Sequence, residues 1–152
     1  MAKFRIAFLS LLLAGILLLT GCANVPTEDR GIDITMYKSA SCGCCGIWAK
    51  YAEKEGFYVD VQVLDSVDLK KQELGVPVEV SSCHTSVIEE YVVEGHVPVE
   101  VIDKLLEERP DIKGISLPGM PSGSPGMPGP KNQDWTIYAI HHDGSTSEFM
   151  VI

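Results

Sequence analysis

The chain has 152 residues and carries 12 basic and 21 acidic side chains, a formal net charge of −9. Its length predicts one compact domain rather than two. The acidic balance argues against nucleic-acid binding and leaves no polybasic patch for a membrane surface.

The first 21 residues have the pattern of a secretory signal. Two basic residues precede an almost continuously apolar run, residues 6–19, which is too short and wrongly flanked for a membrane span. The run leads into the sequence LTGC, which resembles the lipobox of bacterial lipoproteins. That resemblance implies cleavage before Cys22 and lipidation of its thiol, with an ordinary signal peptide and a chance cysteine as the alternative. We expect a periplasm-facing lipoprotein of the bacterial cell envelope, and Ala23 favours the outer membrane.

The remainder divides into a polar tether, residues 22–31, and a domain over residues 32–152. Alternating β-branched residues and helical apolar spacings predict the element order β-α-β-α-β-β-α in this domain. The predicted strands cover residues 32–37, 57–64, 85–88 and 91–95, and the predicted helices run from Cys45 to Gly56, from Asp68 to Leu74 and from Pro98 to about Arg109. This order is that of a thioredoxin-like α/β fold, whose reactive turn lies where the first strand enters the first helix.

A Pro/Gly/Met-rich loop, residues 118–130, interrupts the pattern with the sequence PGMPSGSPGMPGP. Proline and glycine at this density exclude a helix or a central strand, and loops of this composition are commonly linkers. A linker has no use, however, for methionine at both centres of a repeat, and Met120 and Met127 occupy those centres. Beyond the loop, residues 135–140 and 148–152 predict a C-terminal β-hairpin.

Three cysteines stand together in the cysteine turn, residues 41–46, with the sequence SCGCCG. Cys42 and Cys45 have the C-x-x-C spacing at a predicted helix N-terminus, where the helix dipole and free N–H groups stabilise a thiolate. That pair alone predicts a thiol–disulfide oxidoreductase, but Cys44 could attack a disulfide between its neighbours. Cys83 lies in the loop before the third strand, which faces the C-x-x-C turn in a thioredoxin-like fold. Four thiols at one place exceed what exchange needs and favour a soft metal, either Cu(I), zinc or an iron–sulfur cluster.

The methionines favour copper among these metals, because thioethers are poor zinc ligands and good Cu(I) ligands. Several Cu(I) ions sharing bridging thiolates would also give the adjacent Cys44 and Cys45 a purpose. Iron–sulfur ligation usually spreads cysteines more widely along a chain, and zinc at the four thiols remains the alternative. His84, directly after Cys83, is a further candidate ligand. His96 lies in a turn before the last helix, a position more typical of a surface residue.

Four segments together resemble the CopG-type copper-resistance proteins: YKSASCGCCGIW, SCHTSVIEEYVVEGHVP, ERPDIKGISLPGMPSGSPGM and IYAIHHDG. The resemblance covers nearly all the chain from Asp33 onward. It implies a thioredoxin-like fold, a role in copper resistance and copper held by clustered cysteines, with a multinuclear Cu(I) cluster and Cu(I)/Cu(II) conversion as finer expectations. The chain's residues at the matching motif positions are Cys42, Cys44, Cys45, Cys83, His84, His96, Met120 and Met127.

The expected partners follow from this resemblance and from the N-terminal signal. They are copper ions, the membrane through a lipid on Cys22, and other copper-handling proteins of the envelope. The sequence leaves open both simple sequestration of copper and turnover as a copper oxidoreductase.

Overall fold

The computed structural model describes residues 29–152. The expected signal, the lipidation site at Cys22 and most of the expected tether lie outside the described residues. Within the described part, no helix is both long enough and apolar enough to cross a membrane.

The described residues form a seven-stranded sheet and three helices. The strands are β1 Asp33–Ser39, β2 Tyr58–Leu64, β3 Thr85–Ile88, β4 Tyr91–Gly95, β5 Gly114–Leu117, β6 Thr136–Ile140 and β7 Thr146–Val151. The helices are α1 Gly43–Lys54, α2 Val67–Glu73 and α3 Val99–Glu108, with a 3-10 turn at Val78–Val80. The strand order is β2-β1-β3-β4-β5-β6-β7, in which β1/β2 and β4/β5 are parallel pairs and the other pairs are antiparallel.

The mixed α/β class and the predicted order of the first seven elements are confirmed, as is the C-terminal hairpin. Strand β5 was not predicted. It is only four residues long, starts at Gly114 and is buried along its whole length, so it offers no alternation of apolar and polar residues. A Cβ on Gly114 would also collide with the Val92 carbonyl of β4, which explains a glycine inside a buried strand.

Two apolar clusters lie on opposite faces of the sheet. The larger one joins the sheet to α1 and α3, and it contains Trp48 of α1, Ile102 of α3 and Val93 of β4. The smaller one contains Val92 and Val76, and consecutive strand residues such as Val92 and Val93 point to opposite faces. The sheet therefore buries apolar side chains on both faces, and α1, which begins at the cysteine turn, packs on the face of the larger cluster.

Candidate metal centre

Helix α1 places the three clustered cysteines in its first turn. Cys42 is the N-cap residue, with an extended backbone at φ −78° and ψ 93°, and the helix starts at Gly43. Cys45 is fully buried on the face of α1 that packs on the sheet, whereas Cys42 and Cys44 are half-buried. The amphipathic spacing of α1 thus buries the sulfur of Cys45 and leaves those of Cys42 and Cys44 partly exposed.

Cys42 and Cys45 are joined by a disulfide, with their Cα atoms 5.5 Å apart. Of the cysteines in the described part, Cys44 and Cys83 are free. The Sγ of Cys44 lies 3.6 Å from the Sγ of Cys42, so a third sulfur is in contact with the disulfide. Since metal binding requires thiolates, this state must take up two electrons before all four sulfurs can act as ligands.

The structure brings Cys83 to the cysteine turn. The sulfurs of Cys42, Cys44, Cys45 and Cys83 all lie within 4.8 Å of one another. Burial, with a smaller contribution from the charge of Cys44, raises the pKa of Cys83 to about 12. Cys83 is therefore a protonated thiol at neutral pH without metal, and a bound metal ion would have to displace that proton.

His96 belongs to a second group of donors, in which one ligand atom each of Cys45, Cys83, His84 and His96 lies within 4.8 Å of the others. The Nε2 of His96 is 3.0 Å from the Sγ of Cys83, and its Nδ1 is 2.6 Å from the carbonyl oxygen of Pro125. Because a carbonyl only accepts, Nδ1 carries the hydrogen, and Nε2 presents its lone pair to the cysteine sulfur. Metal-binding histidines are oriented by the same kind of second contact.

The expectation that His96 resembles a surface residue is wrong, since its exposed fraction is 0%. The turn itself gave no sign of burial, because the residue that covers His96 comes from the Pro/Gly/Met-rich loop, far along the chain. Burial lowers the pKa of His96, against the opposing effect of its hydrogen bond to Pro125.

His84 is also fully buried, and its ring packs against those of Trp48 and His96, with both centroid distances at 4.9 Å. Its Nδ1 is 3.3 Å from the Sγ of Cys83, while its Nε2 has no hydrogen-bond partner among residues 29–152. Burial lowers the pKa of His84 well below its usual range, and nearby positive charges add to the effect. Both imidazoles are therefore neutral, which is the form that binds a metal ion.

The Pro/Gly/Met-rich loop packs on this site and does not behave as a free linker. Gly126 has a φ of +86°, and a Cβ added there would lie 2.9 Å from the Cys44 carbonyl oxygen and 3.0 Å from the Trp48 backbone nitrogen. Met127, the next residue, is half-buried. Met120 is 46% exposed and has a φ of +108°, a strained backbone for a residue other than glycine. The loop thus brings the backbone of Gly126 to the cysteine turn and leaves the Met120 side chain at the surface.

Two solved structures resemble this one in sequence and fold. They are named "Copper resistance protein copG- Form 2" and "Copper resistance protein copG- Form 1", and each is 40% identical to this chain. Each match covers 80% of this chain, with 98% and 97% of the other chains covered and TM-scores of 0.74 and 0.73. The chain belongs to the CopG copper-resistance family. The resemblance found in the four sequence segments is thereby confirmed.

A family profile described as "Protein of unknown function, DUF411" matches residues 80–127 of this CopG-family chain. That stretch includes Cys83, both buried histidines and both loop methionines. It begins after the cysteine turn and does not include it. No curated protein matches the chain.

The two donor groups of the CopG-family site form one continuous set, because both contain Cys45 and Cys83. The set offers four sulfur and two imidazole nitrogen donors, and such a mixture suits Cu(I) or zinc. Sequence reasoning missed the carbonyl of Pro125, and it missed a buried ion pair between Lys71 and Glu94 below the Cys83 loop. No local pattern could have indicated either, since Lys71 reads as one of several charged residues on a short helix.

Proposed function

We propose that this CopG-family protein binds Cu(I) for copper resistance, in a multinuclear site bridged by cysteine thiolates. The observation that carries the proposal is that two four-donor groups share Cys45 and Cys83. A thiolate sulfur has lone pairs for more than one soft metal ion, so shared sulfurs at the junction of two groups are placed to bridge.

Copper is favoured over zinc by the number and kind of donors. One tetrahedral zinc ion would be satisfied by four ligands and would leave two of the six donors without a purpose. The names of the two similar structures refer to copper resistance. We assign the ligand roles to Cys42, Cys44, Cys45, Cys83, His84 and His96, with Met120 and Met127 as additional thioether ligands from the loop.

The disulfide gives this site a way to exchange electrons with copper. Reduction of two Cu(II) ions to Cu(I) takes up two electrons. Oxidation of the Cys42 and Cys45 thiols to their disulfide supplies these two electrons and releases two protons. Conversion between Cu(I) and Cu(II) is the redox activity that we infer for the site.

The setting that we propose is the bacterial envelope. Residues 1–21 would act as a lipoprotein signal and Cys22 as the lipid attachment site, followed by a tether to residue 31. This arrangement would hold the metal site facing the periplasm at the outer membrane, within reach of other copper-handling proteins. We assign a thioredoxin-like arrangement to the first seven elements, whose sheet portion has the order β2-β1-β3-β4.

A second candidate is a thiol–disulfide oxidoreductase that uses Cys42 and Cys45. The disulfide between them favours it, and so does the position of Cys44, 3.6 Å from Cys42, from which a thiolate could attack. In this case Cys83 and the histidines would be dispensable for exchange activity.

Anaerobic titration of the reduced protein with Cu(I), against a competing chelator, separates these functions. A Cys22→Ser parent leaves only the four cysteines of the site. We expect more than one Cu(I) per chain, and a lower number in both Cys44→Ser and Cys83→Ser. Binding of one zinc ion and no copper would refute the proposal. Exchange activity that survives Cys44→Ser and Cys83→Ser but is lost in Cys42→Ser would favour the oxidoreductase.

A further inference from the structure

A buried ion pair lies behind the loop that carries Cys83. Lys71 of α2 and Glu94 of β4 are 4% and 0% exposed, and their charged atoms are 2.5 Å apart. A buried pair of this kind is seldom more stabilising than two well-packed apolar residues, because both charges lose their hydration. The role of the ion pair therefore lies in the residues that it holds in place and not in added stability.

The carboxylate of Glu94 holds the chain on both sides of Cys83 and His84. Its Oε1 accepts a hydrogen bond from the backbone N–H of Ser82 at 2.6 Å, and its Oε2 accepts one from the Thr85 hydroxyl at 2.5 Å. Lys71 donates to Oε1 and also to the Thr85 hydroxyl oxygen, at 2.9 Å. One buried carboxylate thus connects the two residues that flank the Cys83–His84 pair.

This connection replaces strand pairing. The ladder between β3 and β4 ends at the pair Thr85 and Glu94, so Ser82, Cys83 and His84 lie beyond the regular strand. Past that point the main chain is tied to β4 by the N–H of Gly95, which donates to the His84 carbonyl at 2.9 Å. The side chain of Glu94 supplies the acceptor for Ser82 that a longer ladder would otherwise provide.

We propose that the Lys71–Glu94 pair is a positioning device for Cys83, a role that rests on the metal site proposed above. Glu94 holds Ser82 and Thr85, and thereby fixes the Cys83 thiol opposite Cys44. Lys71 pairs with the carboxylate, since a buried charge is costly unless it is paired and hydrogen-bonded.

The position of Cys83 can be measured without copper. A parent chain with Cys22→Ser, Cys42→Ser and Cys45→Ala keeps only Cys44 and Cys83, whose sulfurs lie within 4.8 Å of each other. Diamide removes two electrons and two protons from these thiols to form a disulfide. The rate of its formation reports how often the two sulfurs meet.

Two double variants of this parent separate the effect of the hydrogen bond to Ser82 from the effect of removing the charges of Lys71 and Glu94. Lys71→Met with Glu94→Met removes the acceptor for Ser82, and we expect the disulfide to form about tenfold more slowly or worse. Lys71→Met with Glu94→Gln keeps an acceptor oxygen, and we expect it to restore most of the rate. The matched control replaces the exposed pair Lys104 and Glu108 by methionine and should leave the rate unchanged.

Folding of the Met/Met variant with an unchanged rate would overturn the proposal, and so would failure of the Met/Gln variant to restore the rate. Unfolding of both double variants, seen by circular dichroism, would overturn it as well, because the pair would then determine the fold and not the position of Cys83. A slowed rate in a protein that binds no Cu(I) would support the positioning role and refute the proposed copper function, so the two failures are distinguishable.

Discussion

Replacing Gly126 by alanine tests whether the Pro/Gly/Met-rich loop must rest directly on the metal site. The new Cβ would lie 2.9 Å from the Cys44 carbonyl oxygen, 3.0 Å from the Trp48 nitrogen and 3.2 Å from the Nδ1 of His96. The first two are backbone atoms at the start of α1, which cannot swing away as the end of a flexible side chain can. The loop must therefore move outward, and Pro125, the residue before Gly126, must move with it.

Two costs add up at this position. Overpacking against fixed backbone costs about 1–3 kcal/mol. Loss of the hydrogen bond from His96 to the Pro125 carbonyl costs about 1 kcal/mol more and frees the imidazole to rotate. If about 2 kcal/mol of this total is lost from the free energy of Cu(I) binding, the affinity for Cu(I) drops by about 30-fold.

Gly144→Ala is the matched control for Gly126→Ala. Gly144 has a φ of +83°, close to the +86° of Gly126, but a Cβ there meets nothing within 4 Å. Both variants carry the same backbone strain, so any difference between them isolates the contact with the cysteine turn. The assay is chelator competition for Cu(I) on the reduced proteins. Equal affinities in the two alanine variants would contradict the seating of the loop on the site.

Met127→Leu should lower the Cu(I) affinity more than Met120→Leu in chelator competition, because the Met120 side chain is 46% exposed, and equal effects would count against this. Trp48→Phe should cost about 1–3 kcal/mol more in urea unfolding than Trp135→Phe, since only the Trp48 indole N–H has a hydrogen-bond partner among the described residues; a smaller cost would contradict that. The lowered pKa of His84 makes the unfolded chain bind more protons than the fold does, so the Tm of the metal-free protein should fall as the pH drops below about 6.5, and a flat profile would refute this reasoning.

The cysteine turn could be predicted because its signals are local. A β-branched alternation precedes it, a 3.6-residue apolar spacing follows it, and the fold class inferred from these elements placed Cys83 opposite the turn. The copper-resistance family was likewise predictable from four short segments.

The remaining features depend on contacts between distant residues. His96 is buried because Pro125 and Gly126 of the distant loop pack against it, and no sequence pattern near His96 predicts that contact. Strand β5 depends on its place between two other strands, since a four-residue run that starts with glycine carries no periodicity. Glu94 faces Lys71 through tertiary packing, and sequence patterns alone would leave both side chains in solvent.

The loop over the cysteine turn also sets an order of assembly. All four cysteines of the site precede residue 84, whereas the carbonyl that orients His96 belongs to Pro125. A chain synthesised from its N-terminus contains every thiol of the site before it contains the loop that contacts His96 and the cysteine turn. The thiols are therefore made before the hydrogen bond that orients His96 can form, and the six-donor arrangement is complete only when the loop has folded back.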